Sequence, residues 1–140
     1  MLLAANDIID LFNPQQTETD TKTEVNMEIL HSNRELTKQE IYFLTKAQDV
    51  MKMKEASGQT FELSAWCLYK DMNSDGEEVD LFSMRTVDGE TYATNSPTFI
   101  KAFYDILDVF APDEIKAIKV LEGTSKNNRT YITCAYTEIE

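Results

Sequence analysis

A mainly β domain with one helix packed on its sheet, an α+β fold, is predicted by three features of this 140-residue chain. Apolar residues recur with period two between Phe61 and Thr94 and are cut by two turn sequences. The period lengthens to three and four between Phe99 and Phe110. Beyond it, two β-branched and aromatic runs flank Gly123-Thr124-Ser125-Lys126-Asn127-Asn128-Arg129, which is how a hairpin with a long loop is written.

Taken from the start, Leu2, Leu3, Ala5, Ile8, Ile9 and Phe12 fall on one side of a helical wheel that Asn13-Pro14 ends. The stretch Gln15 to Glu24 has no apolar residue and cannot offset its ordering entropy, so it reads as a flexible linker. Residues 1–24 are therefore expected to form an arm and residues 25–140 a single domain. The arm helix either packs back on the core or serves as a docking and self-association element.

Thr37-Lys38-Gln39-Glu40 is a capping box and should start a helix. Ile41, Leu44, Ala47 or Gln48, and Met51 continue the pattern, and Gly58 closes it; the spacing fits one helix or two short ones. Phe61, Leu63, Ala65, Cys67 and Tyr69 should line one face of a strand, with Ser64, Trp66 and Leu68 on the other. Asp71 to Glu78 forms an acidic turn, Val79 to Val87 a second strand, and Asp88-Gly89 the hairpin dipeptide before a third at Glu90 to Thr94. Ser96-Pro97 is an N-cap followed by proline at the first helical position. Phe99, Ile100, Phe103, Ile106, Leu107 and Phe110 then make a broad apolar face that Ala111-Pro112 ends.

The resulting order, β-β-β-α-β-β after a helical N-terminal extension, is the connectivity of a five-stranded OB-fold-like barrel, whose relatives bind oligonucleotides or oligosaccharides. A split sheet with a helix across it is the competing topology.

The formal charge of −12 argues against gripping duplex DNA through a whole-molecule field, because such binding releases counterions from many phosphates. Charge is unevenly placed, however. Lys116, Lys119, Lys126 and Arg129 stand against Glu122 alone between Ile115 and Tyr131, so an anionic ligand would be held there. Asp7 and Asp10 do not suit a signal peptide and no run is long enough to span a membrane, which predicts a cytoplasmic protein. Cys67 and Cys134 lie in strand-like runs without C-x-x-C spacing and are expected to be reduced and buried.

A sequence-tolerant binder of single strands needs aromatic faces interleaved with cations. Trp66, Tyr69, Phe82, Tyr92, Tyr131 and Tyr136 lie in expected strands, and Lys70, Arg85, Lys119, Lys126 and Arg129 lie in or beside them. An aromatic on a strand is core by default. Tyr131, directly after the cationic turn, and Tyr92, on a short polar strand, are the strongest stacking candidates, whereas Trp66 has apolar neighbours on both sides. On the last strand Ile132, Cys134 and Tyr136 should face the core and Tyr131 the groove. Asp71-x-Asn73-x-Asp75-Gly76 copies the first half of a calcium loop, but Phe82 stands where the bidentate Glu belongs. His31 belongs to no constellation and reads as an exposed strand-end residue. Without a paired general base, phosphate loop or metal-ligand spacing, no enzyme activity, cofactor or metal is expected.

Gly58-Gln59-Thr60-Phe61-Glu62-Leu63, Ala65-Trp66-Cys67-Leu68-Tyr69-Lys70, Tyr92-Ala93-Thr94-Asn95-Ser96 and Val120-Leu121-Glu122-Gly123-Thr124-Ser125-Lys126 occur in this order over roughly residues 40–137. Together they resemble the small single-stranded DNA-binding proteins of the phi-29 group of protein-primed tailed phages. The resemblance implies a non-enzymatic OB-fold protein that coats displaced strands during phage DNA replication in the bacterial host cytoplasm, with phage replication proteins as further partners. The acidic turn at Asp71 to Glu78 departs from a DNA-contacting loop. A second function class fits the acidity: a protein-binding inhibitor or DNA mimic whose carboxylates imitate phosphates and occupy a host nucleic-acid enzyme.

Overall fold

A computed structural model describes residues 27–138; the expected arm helix and linker lie outside the described residues. The spine is a 13-residue strand, β3 (Thr60–Met72), that serves three partners. On one edge it pairs antiparallel with β4 (Glu78–Thr86). Its other edge is shared: Thr60 to Glu62 pair with β6 (Ala117–Thr124), and Cys67 to Lys70 pair with β1 (Glu28–Ser32). β4 continues into β5 (Thr91–Thr94), and β6 into β7 (Thr130–Tyr136). A two-residue strand, β2 (Met51–Lys52), runs parallel to Tyr92 and Ala93 on the outer edge of β5. The fold is thus mixed, a curled half-barrel sheet with two helices, α1 (Lys38–Thr45) and α2 (Pro97–Leu107).

The three-strand, helix, two-strand order appears between residues 60 and 136. Closure into a five-stranded barrel does not, because no ladder joins β5 to β7 among the described residues. The reason is local. Pro97 turns the chain into α2 immediately after β5, and the first turn of that helix lies against β7, where the Thr98 hydroxyl donates to the Ile132 carbonyl at 2.8 Å. A helix hydroxyl satisfies a carbonyl that a closing strand would have used.

The expected unbroken alternation of β3, with Phe61, Leu63, Ala65, Cys67 and Tyr69 on one face, is also corrected. The register of β3 on β4 slips between Leu63 and Ala65, and the Ser64 hydroxyl there donates toward the Arg85 carbonyl at 3.2 Å. One extra residue exchanges the faces that follow it. Phe61 and Leu63 therefore share the main core with Trp66 and Leu68, while Ala65, Cys67 and Tyr69 turn to a second, smaller cluster beneath Leu44 of α1.

The main core is a nest of rings. Phe82 lies 4.5 Å from Phe103 and 5.3 Å from Phe99, centroid to centroid, and Trp66 lies 4.7 Å from Phe103. α2 delivers Phe99 and Phe103 because Ser96 accepts from the Phe99 amide and Pro97 occupies the first helical position. Ile132 and Cys134 of β7 are buried and Tyr136 stacks on Phe110 at 3.9 Å, so the expected inward face of that strand is the observed one.

α1 begins on the expected capping box: the Glu40 amide donates to Thr37 Oγ1 at 3.1 Å and the Thr37 amide to Glu40 Oε1 at 2.9 Å. It is one short helix; the chain then enters β2 and a 3₁₀ turn at Met53–Ala56. The Arg34 guanidinium grips the same carboxylate from outside at 2.8 and 2.5 Å, and this pair, helped by the Thr37 amide, lowers the Glu40 carboxyl to about 2. Because the folded value lies below the ordinary 4.5, the contribution to stability is complete above about 4.5 and is lost as pH falls through about 2. A pH titration followed by carboxyl NMR is expected to place the Glu40 midpoint near 2; a midpoint at the ordinary value would show that the Arg34 fork is open in solution.

Cys67 and Cys134 are free and buried, and burial pushes both thiols up to about 12, which makes them poor nucleophiles at neutral pH. No helix among the described residues is long and apolar enough to cross a membrane.

Candidate nucleic-acid interface

The β6–β7 hairpin projects its basic loop in a fixed shape. The Ser125 amide donates to the Arg129 carbonyl at 2.8 Å, the Asn128 amide to the Ser125 carbonyl at 2.9 Å, and the Arg129 amide to Ser125 Oγ at 3.2 Å. Asn128 takes the left-handed conformation, φ 64°, that closes the turn, a conformation Asn tolerates better than most residues. Lys126 and Arg129 are consequently exposed on a braced loop, with Tyr131 one step into β7.

Beside this loop lies a cleft of about 1110 Å³, formed where β5 and β7 fail to meet. One wall carries Ser125, Arg129 and Tyr131; the other carries Lys52 and Lys54; Asn95, Ser96 and Thr98 lie between them at the start of α2. Glu55 and Glu122 also line it, so the cleft holds three cations against two carboxylates. The β7 alternation turns Ile132 into the core and sends the Tyr131 ring to the opposite face, shared with Lys119 and half-buried Leu121 of β6. Tyr131 is 38% exposed, enough to leave part of its ring open to a ligand.

Only part of the expected constellation assembles here. Tyr131, Arg129 and Lys126 gather at the hairpin tip, and Lys119 is exposed further along the same face. Trp66 and Phe82 are both fully buried in the main core, and Tyr92, 7% exposed, packs on Phe61 at 5.0 Å. Tyr69 is buried in the second cluster, its hydroxyl 3.4 Å from Ser83 Oγ. None of these four offers a free ring face, so their assignment to stacking is corrected: Trp66, Phe82 and Tyr92 face the main core, and Tyr69 is covered on the opposite face of β3 by Leu44 of α1 and Ile29 of β1. Tyr136 is likewise occupied, by Phe110.

Two of the expected cations are also engaged elsewhere. Lys70 lies 3.1 Å from Asp80 and 3.9 Å from Glu78, and both carboxylates raise its pKa. Arg85 lies over the ring of Phe43 on α1, 4.6 Å from its centroid. The calcium-like turn is explained by its own hydrogen bonds: Asn73 Oδ1 accepts from the Asp75 and Glu77 amides at 2.9 Å, and Gly76 takes φ 79°. His31 is exposed on β1 and meets Tyr104 edge to face at 5.6 Å.

Lys52 and Lys54 were missed by sequence reasoning. Their segment, Met51-Lys52-Met53-Lys54, reads as the tail of the preceding helical pattern, yet its alternation of apolar and basic residues is the signal that could have found them. Met53 is buried while both lysines stay outside. No protein-family description, no curated protein and no solved structure matches this chain, so its functional reading stands on these residues and their geometry.

Proposed function

We propose that this protein binds single-stranded DNA without sequence preference and without enzymatic activity, as a coat for displaced strands during phage replication in the host cytoplasm. The observation that carries the reading is the hairpin tip: a partly exposed tyrosine beside Arg129 on a braced loop, at the edge of an open cleft that Lys52 and Lys54 also line. Stacking on a ring is indifferent to base identity, and the adjacent cations suit the backbone of the same strand. The strand path β5-β4-β3-β6-β7, with α2 between β5 and β6 in sequence, supports an OB-fold opened at the β5–β7 seam. With a formal charge of −12 the affinity has to come from this local patch and from stacking, not from the field of the whole molecule.

The test is the salt dependence of oligo-dT binding. Each phosphate contact removed should lower the slope of log K against log salt by about 0.7. Lys126→Ala with Arg129→Ala, and separately Lys52→Ala with Lys54→Ala, are expected to weaken binding and flatten that slope. Wild-type slopes in both double variants would remove the cleft and its hairpin from the site.

A further inference from the structure

We infer that Gly123 is a positioning residue for Tyr131, left bare so that the tyrosine ring lies flat across β6 and turns its other face outward to an unpaired base. This rests on the single-strand reading of the same hairpin. Gly123 and Tyr131 are directly opposed in the β6–β7 ladder. A β-carbon at position 123 would lie 2.5 Å from both Cζ and the hydroxyl oxygen of Tyr131 and 2.9 Å from Cε1. The ring therefore fills the space that a side chain at position 123 would need.

The other three glycines have a different explanation. Gly58, Gly76 and Gly89 take φ of 86°, 79° and 90°, and a β-carbon on any of them would meet nothing closer than 4.0 Å. Those are backbone requirements of turns. Gly123 has no such φ and sits inside a strand, where glycine is unfavourable and often marks a close approach. What approaches here is the Tyr131 ring.

The consequence for binding is pre-organisation. A tyrosine free to rotate would lose that freedom when a base stacked on it, whereas a ring already laid on a strand loses little. The underlying strand also covers one π-face, so the platform takes one base from the outer side of the hairpin. A stacked duplex does not present such a base, which makes an unpaired strand the ligand this geometry selects.

Gly123→Ala tests the inference, since an extended strand position accepts Ala and only the ring has to move. It is expected to reduce affinity for labelled oligo-dT as Tyr131→Ala does, by about 5- to 150-fold. The double variant should bind no more weakly than Tyr131→Ala alone, and Tyr131→Phe should retain binding because the ring rather than the hydroxyl stacks. A Gly123 Hα resonance shifted upfield by the ring, and returned to its ordinary position in Tyr131→Ala, reports the geometry without any ligand. If Tyr131→Ala loses affinity while Gly123→Ala does not, or if the two losses add, the positioning role is overturned and the single-strand reading stands. A wild-type chain that shows the Hα shift but binds no oligonucleotide overturns the reading, and the base-presenting role with it.

Discussion

Phe82→Ala is expected to remove about 3–5 kcal/mol of folding stability, the cost of truncating a fully buried aromatic ring. Phe82 is the hub of the ring cluster, in contact with Trp66 at 6.1 Å, Phe99 at 5.3 Å and Phe103 at 4.5 Å. Those partners come from β3 and α2, so the cavity would open between sheet and helix where neither can collapse without moving the other. Urea unfolding should show the midpoint falling with little change in slope. A loss below about 1 kcal/mol would mean that the ring is not enclosed in solution. In that case its candidacy for stacking would return.

Tyr131→Ala should behave in the opposite way. The ring is partly exposed and belongs to neither buried cluster, so stability should change little. Affinity for oligo-dT should fall by about 1–3 kcal/mol, the value of one base stacked on one aromatic side chain. Early unfolding of the variant together with normal binding by its folded fraction would place Tyr131 in the core and shift the β7 register by one residue. Phe82 and Tyr131, both strand aromatics in the same domain, stand at opposite extremes, one fully buried and the other exposed.

That division was only half legible in the sequence. Signals within a few residues were readable: the Thr37 capping box, the Ser96-Pro97 helix start, the Asp88-Gly89 turn and the inward set Ile132, Cys134 and Tyr136 each depend on near neighbours alone. The face occupied by Trp66 and Tyr69 was not readable, because it depends on a bulge at Ser64 that a period-two pattern does not announce. Lys52 and Lys54 were hidden for a related reason. β2 is two residues long and exists as a strand only through its pairing with Tyr92 and Ala93. The open seam followed from a competition no single segment encodes, between a β5–β7 ladder and the first turn of α2. The exposure of Tyr131 was legible because its neighbours Arg129 and Ile132 already marked one side of β7 as wet and the other as dry.

The most direct measurement is an equilibrium titration of fluorescently labelled oligo-dT, followed by anisotropy at low salt. Intrinsic emission is a poor reporter, since the single tryptophan, Trp66, is fully buried in the core. Saturable binding is expected, which unlabelled oligo-dT competes away, a duplex of equal length does not, and raised salt weakens. No rise in anisotropy at any protein concentration, with the same preparation instead displacing duplex DNA from a nucleic-acid enzyme, would contradict it and identify the acidic surface as the functional one.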